Sequence, residues 1–375
     1  MSSAFNVEGY RKLAQKRLPK MIFDYLEGGA DDEKGLQRNL KAFDRLEFLP
    51  RRLVNVAEQD LATEVFGERQ ALPLMVAPTG LNGAFWPKGD LELARAAKKA
   101  GIPFILSTAA NASIEEVADQ VGGDLWFQLY VVHPTLAEQL VARALAAGYR
   151  TLVLTTDVAV NGKRERDLRS GFGLPFKYTP KIMLDGMLHP RWSWRLLTGG
   201  MPQMANFASQ EAHDVELQAA LLSRKMDASF AWDSLKRLRQ IWPYRLLVKG
   251  ILHPDDASRC IELGADGLIV SNHGGRQLDS SCSPLATLQE IAQAHPGKVL
   301  IDSGFRRGSD VVKALALGAK GVLLGRPLLY GLAAAGEAGA SAVLNIFKDE
   351  MSRTLANMGC ASVAGLSSAH VIRAS

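Results

Sequence analysis

Short apolar segments alternate along the chain with stretches that have the spacing of amphipathic helices. The apolar segments predict buried strands, and their alternation with helices predicts βαβ units in a parallel sheet. The predicted strands are 72–77, 103–107, 125–130, 151–156, 245–249, 267–271, 298–302 and 321–324. The predicted helices are 90–99, 113–120, 134–147, 232–241, 254–263, 284–294, 309–317 and 327–335. This repeat favours an α/β fold of the (β/α)8 barrel type, with an open doubly wound sheet as the alternative.

Each predicted strand is apolar until its last residues and then ends in polar or small ones. These strand-end residues are Pro78, Thr79, Ser107, Thr108, Gln128, Tyr130, Thr155, Asp157, Lys249, Ser271, His273, Asp302, Ser303, Gly325 and Arg326. In β/α barrels the active site lies at the carboxyl ends of the strands. One ring of such side chains at one mouth therefore predicts an active site there.

Two regions depart from the repeat. Residues 1–70 precede the first strand, contain a helical stretch at 7–27, and predict an N-terminal cap. After the fourth strand, residues 158–231 form a connection much longer than an ordinary βα loop. We expect a single domain, 1–375, that carries both additions.

Composition narrows the class of protein. The 375 residues carry a net charge of +5, which is too small to indicate nucleic acid and suits anionic substrates or anionic lipid. Three cysteines without a C-x-x-C pair indicate neither a disulfide framework nor a zinc site. We find no run of eighteen apolar residues and no signal core in residues 1–20, so we expect neither a membrane span nor export.

The segment 271–277, Ser-Asn-His-Gly-Gly-Arg-Gln, is the sharpest motif. His273 can act as a base near neutral pH, and Arg276 can bind a carboxylate through two hydrogen bonds. Asp157 is a candidate partner that orients the imidazole, or alternatively a cap of the following loop. The motif predicts base chemistry on an acid substrate.

Three further cations have more than one interpretation. Of Arg164 and Arg166, one is expected to meet the substrate carboxylate and the other to form an ion pair with Glu165 or Asp167, but spacing alone does not choose between them. Lys249 is a Schiff-base nucleophile, a charge partner for an electron-rich cofactor ring, or a solvated lysine.

The segments 302–308 and 324–327 follow the seventh and eighth strands, where barrels commonly bind a phosphate. Gly304, Arg306, Gly325 and Arg326 suit that task. The phosphate could belong to a substrate or to a cofactor.

The chain resembles the FMN-dependent L-2-hydroxy acid dehydrogenase and oxidase family over about residues 10–355. The resemblance rests on segments 25–30, 77–80, 128–130, 155–157, 248–250, 271–277 and 302–308. Within the family, it is strongest to the (S)-mandelate dehydrogenases through segments 87–90, 164–168, 188–192 and 201–203.

The resemblance implies FMN as cofactor and a role for each site residue. His273 would be the base, paired with Asp157, and Tyr130 would contact the substrate's 2-hydroxyl. Arg164, Arg276 and Tyr25 would hold its carboxylate, and Lys249 would stabilise the reduced flavin. The remaining flavin contacts would be Pro78, Thr79, Gly80, Ser107, Gln128, Thr155, Ser271, Asp302, Gly304, Arg306, Gly325 and Arg326.

Two departures from the glycolate oxidases bear on the substrate. Those enzymes carry Trp where Ala109 stands and Ala where Gly80 stands, so this site has more room. We therefore expect oxidation of (S)-mandelate to benzoylformate. The alternatives are an L-lactate dehydrogenase, an oxygen-using oxidase of the same family, and, more remotely, a non-redox barrel that binds a phosphorylated ligand.

The segment 176–207 combines cations with aromatic residues and methionines, as an interfacial membrane segment does. A soluble lid or a subunit contact is the alternative. The resemblance implies peripheral attachment to the cytoplasmic face of the inner membrane, a quinone or other membrane electron acceptor, and a homotetramer.

Overall fold

A computed structural model describes residues 4–173, 179–199, 202–208 and 226–374. Eight parallel strands close into a barrel because the last strand pairs with the first, with Val322 opposite Leu74. The closed ring confirms the predicted barrel and excludes the open sheet. The strands are β1 (Leu74–Val76), β2 (Phe104–Ser107), β3 (Leu125–Leu129), β4 (Thr151–Thr155), β5 (Arg245–Ile251), β6 (Gly267–Val270), β7 (Val299–Ile301) and β8 (Gly321–Leu324).

The barrel interior is packed with large apolar side chains, among them Trp126, Met75 and Leu247, which are at most 1% exposed. An antiparallel hairpin of Thr63–Val65 and Glu68–Gln70 lies beneath them. Its turn places Phe66 against Trp126, with ring centroids 6.5 Å apart. Phe66 also contacts Gly267, the first residue of β6, so the hairpin closes the amino-terminal mouth of the barrel.

The helices that follow the strands cover the outside of the barrel. They are Gly89–Ala100, Ile114–Gln120, Pro134–Ala146, Trp232–Ile241, Pro254–Glu262, Pro284–Ala294, Gly308–Ala316 and Arg326–Met358. The last one runs well beyond the predicted 327–335, with a kink at Ala335 and Gly336. Its mean hydropathy of 1.2 would suit a membrane span, but 72% of that window is buried inside the fold. It is a core helix.

The N-terminal region forms helices Val7–Arg17, Lys20–Glu27 and Lys34–Lys41. The single stretch predicted at 7–27 is thus two helices, because Leu18 is extended and Pro19 caps the second helix. Strand Leu46–Phe48 then pairs with Val371–Arg373 near the end of the chain. Short 3-10 turns occur at Ala42–Arg45, Asn82–Ala84, Val363–Gly365 and Ser368–His370.

The insertion after β4 contains helices Glu165–Ser170, Pro180–Leu188, Pro190–Gly199 and Ala205–Ala208. Among the hydrogen bonds that tie it to the rest of the fold, Nε1 of Trp192 donates to the Ala84 carbonyl at 2.8 Å, and the Lys20 amide donates to Asp185 at 2.6 Å. Residues 174–178, 200–201 and 209–225, which include the predicted interfacial residues Phe176, Lys177, Tyr178 and Met201, lie outside the described residues.

Candidate active site

A cavity opens at the carboxyl mouth of the barrel, as the strand-end residues predicted. Most of the predicted site residues line it. They are Tyr25, Pro78, Thr79, Gly80, Ser107, Tyr130, Thr155, Arg164, Lys249, His273, Arg276, Asp302, Gly304, Arg306, Gly325 and Arg326.

Gln128, Ser271 and Asp157 lie behind this surface and hold residues that line it. Gln128 accepts a hydrogen bond from Ser107 and donates one to Thr155, at 3.1 and 3.0 Å. Ser271 accepts from the Lys249 ammonium at 2.8 Å. Gln128 and Ser271 therefore position these neighbouring side chains, and any contact that they make with a cofactor would be in addition to this role.

His273 stands between an acid and a phenol. Its Nδ1 is 2.9 Å from Oδ1 of Asp157, and its Nε2 is 3.2 Å from the Tyr130 hydroxyl. The backbone of His273 is left-handed, with φ of +58°, a conformation that side chains other than glycine adopt at a cost. The Ser271 hydroxyl stabilises it by accepting from the His273 amide at 3.0 Å.

The charges around His273 favour a neutral imidazole beside an ionised carboxylate. Burial lowers the pKa of His273, and Lys249 and Arg164 lower it further, while Asp157 opposes them. Burial alone would raise the pKa of Asp157, but His273 and Lys249 bring it below its usual range. Nδ1–H then donates to Asp157, which leaves the lone pair of Nε2 free to accept a proton. The pair is a competent general base.

Lys249 is a buried cation, 4% exposed, at the end of the β5 ladder. Burial alone would lower its pKa, but Asp302 at 3.1 Å and Asp157 at 4.0 Å outweigh that effect and raise it. The ammonium therefore stays charged, which disfavours the Schiff-base interpretation because an imine requires the neutral amine. Its burial also excludes the solvated interpretation.

The structure gives different positions to Arg164 and Arg166, the two arginines whose roles could not be decided from their spacing. Arg164 lines the cavity, and its Nε is buried without a hydrogen-bond partner among the residues that the structure describes. Arg166 instead pairs with Glu33 in the N-terminal region. The expected partner of the second arginine, Glu165 or Asp167, was wrong, because the chain turns into helix Glu165–Ser170 and aims Arg166 at Glu33.

Arg276 adds a second guanidinium to the cavity wall. Its Nη1 donates to the carbonyls of Tyr25 and Gly28, at 2.9 and 2.7 Å. Burial, together with Arg164 and Arg326, lowers the pKa of Arg276 to about 9, so it remains protonated at neutral pH. Clustered buried cations of this kind are stabilised by an anion bound between them.

The phosphate-end residues fit the predicted task with one refinement. The Arg326 guanidinium donates to the carbonyls of Leu26, Gly274 and Gly28, which uses three of its five N–H groups, and the backbone N–H of Arg326 is a further donor for a phosphate. That N–H lies at the start of helix Arg326–Met358, where a Cβ built on Gly325 would meet nothing closer than 3.8 Å. An open helix N-terminus of this kind suits a phosphate.

The N-terminus of helix Gly308–Ala316, at the same end of the barrel, is less available to a phosphate. The amides of Arg306 and Arg307 both donate to Asp310 at 2.9 Å, so the start of helix Gly308–Ala316 is already capped. The open terminus, the buried Lys249 ammonium and the row of strand-end polar groups together fit FMN.

An apolar part of the wall was not predicted. Val132 after β3, Met204 and Phe207 of the insertion, and Met226 line the cavity. The insertion is fixed there by Asn206, which is fully buried and accepts from the Ile114 amide at 3.0 Å. The length of the insertion and its place at the catalytic mouth were the available signal, but they did not identify these residues.

Comparison with known proteins places this geometry in a family. The model of the family described as FMN-dependent dehydrogenase matches residues 14–373. The chain belongs to that family. It is therefore an FMN-dependent oxidoreductase, which leaves the non-redox barrel without support.

Individual relatives agree with the family. The chain is 61% identical to (S)-mandelate dehydrogenase of Pseudomonas putida, over 97% of this chain and 92% of that protein. It is 40% identical to an L-lactate dehydrogenase of Pectobacterium atrosepticum, over 97% and 96% of the two chains. A crystal structure of the monotopic membrane protein (S)-mandelate dehydrogenase matches with a TM-score of 0.96 and 59% identity, covering 100% of both chains.

Proposed function

We propose that this protein oxidises (S)-mandelate to benzoylformate and passes the electrons to a quinone in the membrane. The observation that carries the proposal is the convergence of neutral His273, Arg164 and Arg276 on one cavity. The relative with 61% identity supports this choice of substrate, against 40% for a lactate dehydrogenase.

The carboxylate is the first feature of the substrate to be recognised. The buried Nε of Arg164, which has no partner in the described part of the chain, and the cavity face of Arg276 supply hydrogen-bond donors with positive charge. Tyr25 lies under Arg276, with the guanidinium carbon 5.1 Å from the ring centroid, and fixes one side of this carboxylate site. Two charged donors orient an acid as well as bind it.

His273 would then accept the proton that the substrate releases as C2 is oxidised. Nε2 is the ring nitrogen without a proton. The Tyr130 hydroxyl, 3.2 Å from Nε2, marks where the 2-hydroxyl of the substrate would lie. Burial raises the pKa of Tyr130, so its phenol remains a hydrogen-bond donor. Asp157 would stabilise the imidazolium that forms.

FMN supplies the acceptor for the two electrons. Lys249 would hold the pyrimidine edge of its ring, and the strand-end groups of Thr79, Ser107 and Thr155 would line the ring and ribityl chain. Backbone at Gly304 and Gly325 would hold the phosphate end.

The space beyond the reacting carbon favours an aromatic substituent. Gly80 and Ala109 lie next to each other in the cavity wall, so larger side chains at these two positions would take up space in the cavity. Val132, Met204 and Phe207 form an apolar wall of the same cavity. A phenyl group would bury its surface there, whereas a methyl group would bury much less.

The test compares dye-coupled oxidation of (S)-mandelate, L-lactate, glycolate and longer L-2-hydroxy acids. We expect (S)-mandelate to give the highest kcat/KM, and a tenfold preference for lactate would contradict the proposal. Peroxide released per turnover in air distinguishes the oxidase alternative, since a dehydrogenase releases little.

We further propose that the insertion attaches the protein to the cytoplasmic face of the inner membrane. Helices Pro180–Leu188 and Pro190–Gly199 expose large apolar side chains, which we call the docking face. It consists of Met183, Leu184, Met187, Leu188, Trp194 and Leu197, each 56–79% exposed. The solved relative described as monotopic supports this proposal over a soluble lid. The homotetramer stays a prediction, to be tested by sedimentation of the detergent-solubilised protein.

A further inference from the structure

A second cavity lies beside the catalytic one and encloses about 750 Å³, within the roughly 300–1,000 Å³ of small-molecule sites. Its walls come from the end of helix Val7–Arg17, the loop after β1, and the insertion helix Pro190–Gly199. Phe85 lines both cavities, so one aromatic ring separates them at this point. Thr79, Asn82 and Asp90 continue the dividing wall through hydrogen bonds of 3.0 and 2.7 Å.

Segments that carry the resemblance to the mandelate dehydrogenases meet at this second cavity. Its lining includes Pro87, Lys88 and Asp90 from segment 87–90, all of segment 188–192, and residues 202–203 from segment 201–203. Within the part of the chain that the structure describes, these residues do not line the catalytic cavity. The catalytic mechanism therefore leaves them without a role.

The lining offers flat apolar surfaces. Trp86, Phe85 and Trp192 all line the cavity. The Arg195 guanidinium carbon lies 3.8 Å from the centroid of the Trp86 ring, which holds that cation at the cavity wall. Trp192 is fixed by its hydrogen bond to the Ala84 carbonyl. Such a surface suits a planar, largely apolar ligand.

The charges of the lining favour electron-rich oxygen atoms. Among the described lining residues, the cations are Lys16, Arg17, Lys88, Arg191 and Arg195, against the acids Asp90 and Glu116. Asp90 is already satisfied by Asn82 and by the amides of Asn111 and Ala112. Burial, with Arg17 and Arg191, lowers the pKa of Arg195, which reflects this surplus of positive charge. The surplus would stabilise negative charge as it develops on a ligand.

We propose that the second cavity binds the head group of a membrane quinone, with the quinone ring against the aromatic lining and Arg195, which Trp86 holds in place, bound to a carbonyl oxygen. The inference rests on the proposed function. Electrons and protons balance between the two reactions, because oxidation of the hydroxy acid releases two electrons and two protons. The quinone takes up both electrons and both protons, and its two carbonyl groups become hydroxyl groups.

The position of the docking face supports a ligand that comes from the bilayer. Leu188 lines the cavity and is 71% exposed, and Leu184 and Leu197 extend the same apolar surface. An isoprenoid tail could leave the cavity past Leu188 into lipid, while the head group remains beside the wall shared with the flavin site. A water-soluble acceptor would not need this route.

The test measures binding of ubiquinone-1 to the oxidised holoenzyme by quenching of tryptophan fluorescence. Arg195→Met and Trp86→Leu are expected to raise Kd about tenfold, because the first removes the cation and the second removes the ring that holds the cation in place. The matched control is Arg259→Met, which removes a similar cation–ring contact with Trp232, at 4.6 Å, on the outside of the barrel. It should leave Kd unchanged.

Stopped-flow kinetics separate this inference from the proposed function. Reduction of bound FMN by (S)-mandelate tests the proposed function, and its absence in the wild-type protein would contradict that function alone. Re-oxidation by ubiquinone-1 tests the second cavity and should slow about tenfold in Arg195→Met. Unchanged Kd in both cavity variants would overturn the inference. Displacement of ubiquinone-1 by equimolar phosphatidylglycerol would also overturn it, since the cavity would then be a lipid site.

Discussion

At the scale of single residues, the site depends on one balance of charge. His273 is kept neutral by burial and by the cations Lys249 and Arg164, while Asp157 provides the opposing charge that an imidazolium needs. A base must be neutral before the reaction and tolerated as a cation after it. The buried carboxylate 2.9 Å away makes both states accessible.

Replacing Asp157 with Asn tests that balance. The charge of Asp157 raises the pKa of His273, so its removal lowers that pKa further and moves the acid limb of the kcat/KM profile to lower pH. Because the imidazolium is no longer stabilised, kcat should fall by about 10²- to 10⁴-fold. Asp124→Asn, at the opposite mouth of the barrel, is the control and should leave both unchanged. An acid limb that stays in place would show that Asp157 does not set the charge of His273.

His273→Gln removes the base itself. Turnover with (S)-mandelate should fall at least about a thousandfold, because Gln cannot accept the proton. The visible absorption of bound FMN should remain, since the predicted flavin contacts are intact. Loss of FMN from this variant would instead assign His273 to cofactor binding.

Arg276→Met removes a charged fork from the carboxylate site. A lost charge-assisted contact costs about 1.5–3 kcal/mol, so KM should rise by about ten- to a hundredfold. Some loss of kcat should accompany it, because ground and transition states both use the contact. Arg276→Lys keeps the charge without the fork and should lie between Met and wild type. Equal KM values for Lys and wild type would contradict the role of the fork.

Most of these residues could be predicted from the sequence, because polar residues at the ends of the strands lie at the catalytic mouth of the barrel. His273 and Asp157 each follow an apolar strand, Lys249 lies near the end of one, and the three side chains meet as expected. The choice between Arg164 and Arg166 was not available, because it depends on where the short helix Glu165–Ser170 begins. Met204 and Phe207 were not predicted, since their place depends on the buried contacts of Asn206.

At the scale of elements, periodic segments were predictable and short ones were not. The eight strands and their helices correspond to an alternation of apolar and amphipathic segments that is visible in the sequence. The hairpin of Thr63–Val65 and Glu68–Gln70 has three residues in each strand, so it shows no periodicity. Its function of closing the barrel comes from Phe66, at the turn, and from tertiary packing alone.

The kink in helix Arg326–Met358 gives a prediction for this scale. Gly336 has φ of +63°, and a Cβ there would lie 2.8 Å from Trp86. Gly336→Ala should therefore destabilise the protein by about 2–4 kcal/mol, through backbone strain and overpacking. Gly297→Ala, at φ of +82° with no atom of the described residues within 4 Å of the added Cβ, is the control. The Gly297→Ala substitution should lower the free energy of unfolding by about 1 kcal/mol.

Urea denaturation of the two holoenzymes measures the difference. A Gly336→Ala midpoint as high as that of Gly297→Ala would show that Trp86 yields freely. Because Trp86 also lines the second cavity, the same variant should weaken binding of ubiquinone-1 if the ring is displaced.

At the scale of the whole molecule, the two mouths of the barrel have different tasks. The hairpin closes one mouth, and the insertion borders the other with its inner side while it exposes apolar residues on its outer side. Deletion of the whole predicted segment 176–207 would also remove Asn206 and Phe207, which fix and line the catalytic cavity. Surface substitutions therefore test attachment to the membrane more cleanly than a deletion does.

The triple substitution Leu184→Glu, Trp194→Glu and Leu197→Glu places charges on the docking face. These residues are 56%, 68% and 79% exposed, and they do not line the catalytic cavity as the described residues define it. Each buried apolar side chain contributes about 1.5–3 kcal/mol to partitioning, so sedimentation with phosphatidylglycerol vesicles at low salt should be lost. Ile241→Glu, at the end of helix Trp232–Ile241, is the control and should sediment as wild type does. Dye-coupled oxidation of (S)-mandelate should persist in both. If the triple variant still sediments, or if the wild-type protein does not, the insertion is a lid or a subunit contact.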